Sequence, residues 1–135
     1  MLSALAVLTV AIGIILEGDR VLIARRRAGG HLGGLWEFPG GKVGLGEAPV
    51  QALRRELEEE LGVSVRLEAR WTPIRHRYGK RHLVLHPFVC SIIAGKPLPK
   101  SALTLRWVPR QRIGAYRFPG ANRRLLRRLA RGRRI

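Results

Sequence analysis

Residues 41–63, GKVGLGEAPVQALRRELEEELGV, decide how the rest of the chain is read. Gly40 and Gly41 form a pair that bends a backbone sharply and lets it approach a ligand closely. Glu47, Ala48 and Pro49 mark a helix start, with an acid expected in the first turn and Pro where its missing N–H costs nothing. Val50, Leu53, Leu57 and Leu61 recur at helical spacing, and Gly62 supplies the stop. The segment is therefore a loop followed by a helix of about four turns. Glu56, Glu59 and Glu60 fall at i, i+3 and i+4 on one face, where like charges repel unless a counter-ion sits among them. Hard carboxylate oxygens suit Mg²⁺ or Mn²⁺, and Mg²⁺ commonly bridges protein carboxylates to substrate phosphates. Arg55 is placed to orient a carboxylate from behind. A bare run of glutamates is more often a solvated helix face, so the decision rests on the residues around it.

Those residues match a known pattern. The stretch resembles the Nudix box, G-x5-E-x7-R-E-U-x-E-E-x-G-U with U a bulky aliphatic, and Gly41, Glu47, Arg55, Glu56, Leu57, Glu59, Glu60, Gly62 and Val63 fill its nine fixed positions. Outside the box, ARRRAGGHLGGLWEFPGGK and the ending W-V-P…F-P-G-A-N are similar to the MutT-type, 8-oxo-dGTP diphosphatase-like branch of that family. The resemblance implies an α/β/α sandwich with a mixed β-sheet, one domain over residues 1–135, and Mg²⁺-dependent cleavage of a nucleoside triphosphate to monophosphate and pyrophosphate. By position it implies that Glu56, Glu59 and Glu60 ligate metal with the carbonyl of Gly40. Glu47 braces the site and Arg55 holds a glutamate in place. Glu56 and Glu59 are both candidates for the base that takes a proton from the attacking water.

The same resemblance, carried residue by residue, assigns Arg26 to a place near the substrate, Phe38 to the base pocket, Arg81 to the facing strand and Asn122 to the base edge. An Asn side chain offers both a donor and an acceptor and so discriminates base edges; it is equally suited to cap a helix. One departure stands out. Many members carry an acid in the loop before the Trp-bearing strand, where this chain has Ser101, and Lys80 replaces a second acid. The departure implies one metal fewer, a slower reaction or a different base. CTP or a modified pyrimidine nucleotide is the second substrate reading. A binding module that recognises nucleotides or nucleic acid without cutting them is the third.

Charge is distributed unevenly. All nine acids lie at or before Glu68, and the last 67 residues carry 18 Lys or Arg. Such a field attracts polyanions, which leaves room for a weak nucleic-acid contact through the basic C-terminal half. Of the 26 basic residues 22 are Arg, which suits bidentate phosphate contacts but equally follows from a codon bias toward Arg. Cys90 is the single cysteine and reads as a core thiol in a reducing, cytoplasmic compartment. Residues 2–16 lack the early positive charge of a signal peptide and are too short for a spanning helix, so no membrane partner is expected. Monomer and homodimer are both compatible with the sequence.

Along the rest of the chain, residues 2–16, with the β-branched Val7, Val10, Ile12, Ile14 and Ile15, read as a buried strand that turns at 17–20 into a second strand at 21–24. Residues 28–34 form a Gly-rich loop of the kind that closes over ligands. Residues 64–74 read as a strand broken by Pro73, residues 75–82 as a basic turn, and residues 83–93 as a strand in which Pro87 argues for an edge or bulge. A strand at 103–108, a short helix at 109–116 and an amphipathic helix at 122–131 complete the chain.

Overall fold

The computed structural model describes residues 6–29, 33–102 and 104–131. Among the described residues, eight strands and two α-helices run in the order β1 (Ala6–Glu17), β2 (Arg20–Arg25), β3 (Trp36–Glu37), β4 (Gly40–Lys42), α1 (Pro49–Leu61), β5 (Ser64–Arg70), β6 (Ile74–Tyr78), β7 (Arg81–Ala94), β8 (Thr104–Pro109) and α2 (Arg123–Ala130). The stretches Arg110–Ala115 and Gly120–Asn122 are 3-10 helices, the first within the short helix expected at 109–116.

The sheet is mixed. β1 and β7 run parallel from Ala6↔Arg81 to Ile15↔Cys90 and form its centre. β4 lies antiparallel on β1, β5 and β6 antiparallel on β7, and β8 and β3 antiparallel on β2. The expected β1–β2 hairpin exists only at its tip, at Leu16↔Val21 and Glu17↔Arg20, after which the two strands part.

Central strands read as continuous apolar runs because both faces are covered. Ala11, Ile15, Phe88 and Cys90 face α1, whose Ala52, Leu53, Leu57 and Leu61 are buried against them. Ile12, Ile14 and Val89 face the other way and meet Leu125 and Leu129 of α2. The helices thus cover opposite faces, giving the expected α/β/α layering. Each leucine buried in this way is worth about 2 kcal/mol.

Three local expectations are corrected. Residues 75–82 are not a basic turn but most of a hairpin: β6 pairs with β7 from Ile74↔Leu85 to Tyr78↔Arg81, and only Gly79 and Lys80 turn. Charge masked the alternation of Ile74, Arg75, His76 and Arg77, whose arginines point to solvent. Pro87 sits mid-way along the central strand rather than at an edge. Its carbonyl accepts a hydrogen bond from Trp71 N at 3.0 Å, in the gap between the end of β5 at Arg70 and the start of β6 at Ile74. An extended residue points its N and C=O to the same side, so the missing donor faces that interruption. Glu47 lies one residue before the cap of α1, not in its first turn; Ala48 N donates to Gln51 Oε1 at 2.9 Å and opens the helix.

Candidate active site

The site grows from the contact between β4 and α1. β4 lies on β1 at Ile12↔Gly40, Ala11↔Gly41 and Val10↔Lys42. At Gly40, φ is +149° and any Cβ would run into the backbone carbonyl of Ala11. At Gly41 a Cβ would occupy the space taken by the carboxylate of Glu56. The glycine pair therefore lets a strand press directly onto the acidic face of the helix. Gly62 closes that helix, its N–H donating to the Glu58 carbonyl at 2.9 Å.

Arg55 organises the acids. Its Nε and one terminal nitrogen donate to both oxygens of Glu47, at 2.9 and 3.0 Å. The same nitrogen reaches the Lys42 carbonyl at 3.0 Å. The other terminal nitrogen donates to Glu56 at 2.8 Å and reaches Glu59 at 3.5 Å. One guanidinium thus spans three carboxylates and a strand carbonyl, using the fork geometry that a lysine lacks. Its hydrogen bonds, with a further one from Gly44 N, hold the Glu47 carboxyl down at about 2. In return, Glu47 first and Glu56 second raise the Arg55 pKa.

Glu60 stands apart from that network. It accepts from Gly40 N at 3.0 Å. Burial pushes its carboxyl up to about 7; the Gly40 hydrogen bond opposes this, and the charges of Glu56, Glu37 and Glu59 add to it. Among the described residues, no three Asp, Glu, His or Cys side chains converge closely enough to hold a metal ion as they stand. The donor chemistry nevertheless fits a hard divalent cation: carboxylates on one helical face, a half-buried acid burdened by its neighbours' negative charge, and a glycine that leaves room for the Glu56 carboxylate.

A cavity of about 670 Å³ opens beside this face. Such a volume suits a nucleotide-sized ligand. Gly40, Gly41 and Glu60 wall it, and so do Arg26, Phe38 and Asn122, bringing box residues and expected substrate residues around one space. Arg81 is not in the wall. It is exposed at the start of β7, two residues along the strand from Leu83, which is. Phe38 is buried and stacks obliquely on Phe118, ring centroids 4.9 Å apart. Asn122 occupies the cap position of α2, yet its side chain makes no capping hydrogen bond; Nδ2 donates to the Pro119 carbonyl at 3.3 Å. Of the Gly-rich loop, residues 30–32 lie outside the described residues.

Two charged wall residues, Glu37 and Lys42, carry no site reading in the sequence. Arg27, which with Arg25 and Arg26 reads either as a charged strand end or as a contact to phosphate or base, also stands in the wall. Glu37 accepts from Arg26 at 3.1 Å, and burial raises its pKa against the pull of that arginine. Lys42 lies in the box itself. The signal for Glu37 was an acid between Trp36 and Phe38, a setting that desolvates a carboxylate.

Comparison with known proteins agrees with this geometry. A NUDIX domain matches residues 11–128. The 8-oxo-dGTP diphosphatase of Escherichia coli (strain K12) is 34% identical over 125 residues, covering 92% of this chain and 97% of that one. The CTP pyrophosphohydrolase of the same organism is 51% identical over only 53 residues, 38% of this chain and 39% of that one. Among solved structures, a MutT from the Aliivibrio salmonicida and Vibrio cholerae pair shares the fold at a TM-score of 0.73 and 31% identity, covering 93% and 98% of the two chains. The chain belongs to the NUDIX family. It is a NUDIX hydrolase, a nucleotide pyrophosphohydrolase of the class that works with a divalent metal ion. No helix among the described residues is long and apolar enough to cross a membrane.

Proposed function

We propose that this chain hydrolyses 8-oxo-dGTP to its monophosphate and pyrophosphate with Mg²⁺, clearing an oxidised nucleotide before it enters DNA. The observation that carries the reading is one cavity walled both by Glu60 and Gly40 of the box and by Phe38 and Asn122. Glu56, Glu59 and Glu60, with the Gly40 carbonyl, are the groups that would hold the ion. Bound there, a divalent cation offsets phosphate charge and lowers the pKa of a water. Arg55 fixes the orientation of Glu56, and Glu47 fixes Arg55. A carboxylate of Glu56 or Glu59 takes the proton from the attacking water. Phe38 offers a ring face to the base, and Asn122, free of capping duty, offers its Oδ1 to a base edge.

The test is a pyrophosphate-release screen over ordinary and oxidised nucleotides with Mg²⁺ and with Mn²⁺. Glu56→Gln and Glu59→Gln are each expected to lower kcat by about 100-fold or more. Unchanged rates in both variants would defeat the proposal. The partial match to a CTP pyrophosphohydrolase favours a second reading, with a cytosine nucleotide as substrate. Relative kcat/KM across the panel separates the two, and Asn122→Ala is expected to impair only a purine substrate. The remaining elements of the proposal are a single domain over residues 1–135, action in the cytoplasm, a monomer or homodimer, and a weak nucleic-acid contact through the basic half. The buried free thiol of Cys90 supports the compartment, and the acid-free last 67 residues support the contact.

A further inference from the structure

Three cations stand in the cavity wall: Arg26, Arg27 and Lys42. Arg26 is committed to Glu37 at 3.1 Å. Arg27 has no carboxylate within ion-pair distance among the described residues. Its Nε instead donates to the backbone carbonyl of Ser101, 74 positions away, at 3.4 Å. Ser101 also lines the cavity, in the loop that leads into β8. One end of the cavity wall is therefore an arginine that leaves β2 and is steadied by a neutral loop, its terminal nitrogens making no hydrogen bond or ion pair among the described residues.

We propose that Arg27 grips the polyphosphate tail of the substrate and sets a preference for triphosphates over shorter nucleotides. The inference rests on the proposed pyrophosphohydrolase reading of the same cavity. A nucleoside triphosphate brings more negative charge than one divalent ion balances, and Glu37 already takes up Arg26. Arg27 is available to make a charge-assisted, bidentate contact with a phosphoryl group. Its tether to Ser101 reduces the side-chain freedom lost on binding. The loop that steadies it brings no acid, so Ser101 leaves the positive charge at this wall undiminished.

The experiment compares wild type with Arg27→Gln and Arg27→Lys. Arg27 is exposed, so both variants are expected to keep the wild-type Tm. Three quantities are read: kcat and KM for the best nucleoside triphosphate, Ki of the matching diphosphate as inhibitor, and calorimetric binding of inorganic tripolyphosphate in EDTA. For R27Q the expected result is a 10- to 100-fold rise in KM, the size of one lost hydrogen bond to a charged group. The kcat should hold, the diphosphate Ki should move far less, and tripolyphosphate affinity should fall in parallel with KM. R27K is expected to recover part of both losses, since it restores the charge without the fork. An unchanged triphosphate KM, or equal loss for triphosphate and diphosphate, overturns the proposal. Should wild type release no pyrophosphate from any nucleotide, the function reading fails, while tripolyphosphate binding still decides Arg27 by itself.

Discussion

At the scale of single residues, the Glu47–Arg55 pair shows how one ion pair prepares a site without entering it. Glu47 was legible as a box acid that braces the site, but its partner was not, because sequence spacing does not say which group a carboxylate turns toward. The structure gives it both Arg55 contacts and the Gly44 N–H at 2.9 Å. These interactions depress its folded pKa to about 2 from an ordinary value of 4.5. The sign of the pH effect follows. A group with a depressed folded pKa adds stability that is fully present above its unfolded pKa and is lost as pH falls toward the folded one. Glu47→Gln removes that titration. Its stability deficit against wild type is expected to be constant above about pH 5 and to shrink between pH 4.5 and 2. Urea unfolding at several pH values measures it. A deficit that stays flat through that window would show that Glu47 carries no depressed pKa.

At the scale of elements, the contact of β4 with α1 and β1 separates two neighbouring glycines by what each one excludes. Adding a methyl at Gly40 forces it against the Ala11 backbone, at a φ of +149° that other residues avoid. Backbone has nowhere to go, so Gly40→Ala is expected to destabilise the fold by about 2–3 kcal/mol or more. A methyl added at Gly41 has the flexible Glu56 side chain, not backbone, as its nearest neighbour, and that side chain can swing aside. Gly41→Ala is therefore expected to keep most of the thermal stability and lose about 100-fold in kcat, the scale of an ångström-sized misplacement of a reacting group. Thermal melts beside pyrophosphate-release rates test the split; equal loss of stability in both variants would refute it. This junction was readable from sequence because glycines, helix period and box spacing agree. The β6–β7 hairpin was not, because arginines on its outer face hid a strand alternation. Pro87 misled for a related reason: whether a missing donor is tolerated depends on where the neighbouring strand breaks, a property of tertiary pairing. Glu37 and Lys42 were missed as wall residues because nothing local says that two sheet segments far apart in sequence enclose one cavity.

At the scale of the whole molecule, the charge distribution sets stability against binding. Arg123, Arg124, Arg127 and Arg128 are exposed on α2, and no acid follows Glu68. The pairs Arg123–Arg127 and Arg124–Arg128 are like charges at i, i+4, each costing a few tenths of a kcal/mol. The helix also carries arginines in its first turn, where its dipole favours acids. What holds α2 down is its other face, with Leu125 and Leu129 buried and Arg128 lying 4.1 Å over the Trp71 ring. A stability optimum would place an acid at position 124. Arg124→Glu sets a glutamate four residues before Arg128, the favoured order, and in the first turn as well. It is expected to raise stability by about 0.5–1.5 kcal/mol, seen as a higher Tm at low salt whose advantage shrinks as salt is added. If the basic half meets nucleic acid, the same change weakens binding to an oligonucleotide and makes the plot of log K against log salt less steep, while pyrophosphate release is untouched. A variant that is more stable, equally active and equally tight on the oligonucleotide would mean that Arg124 meets no nucleic acid.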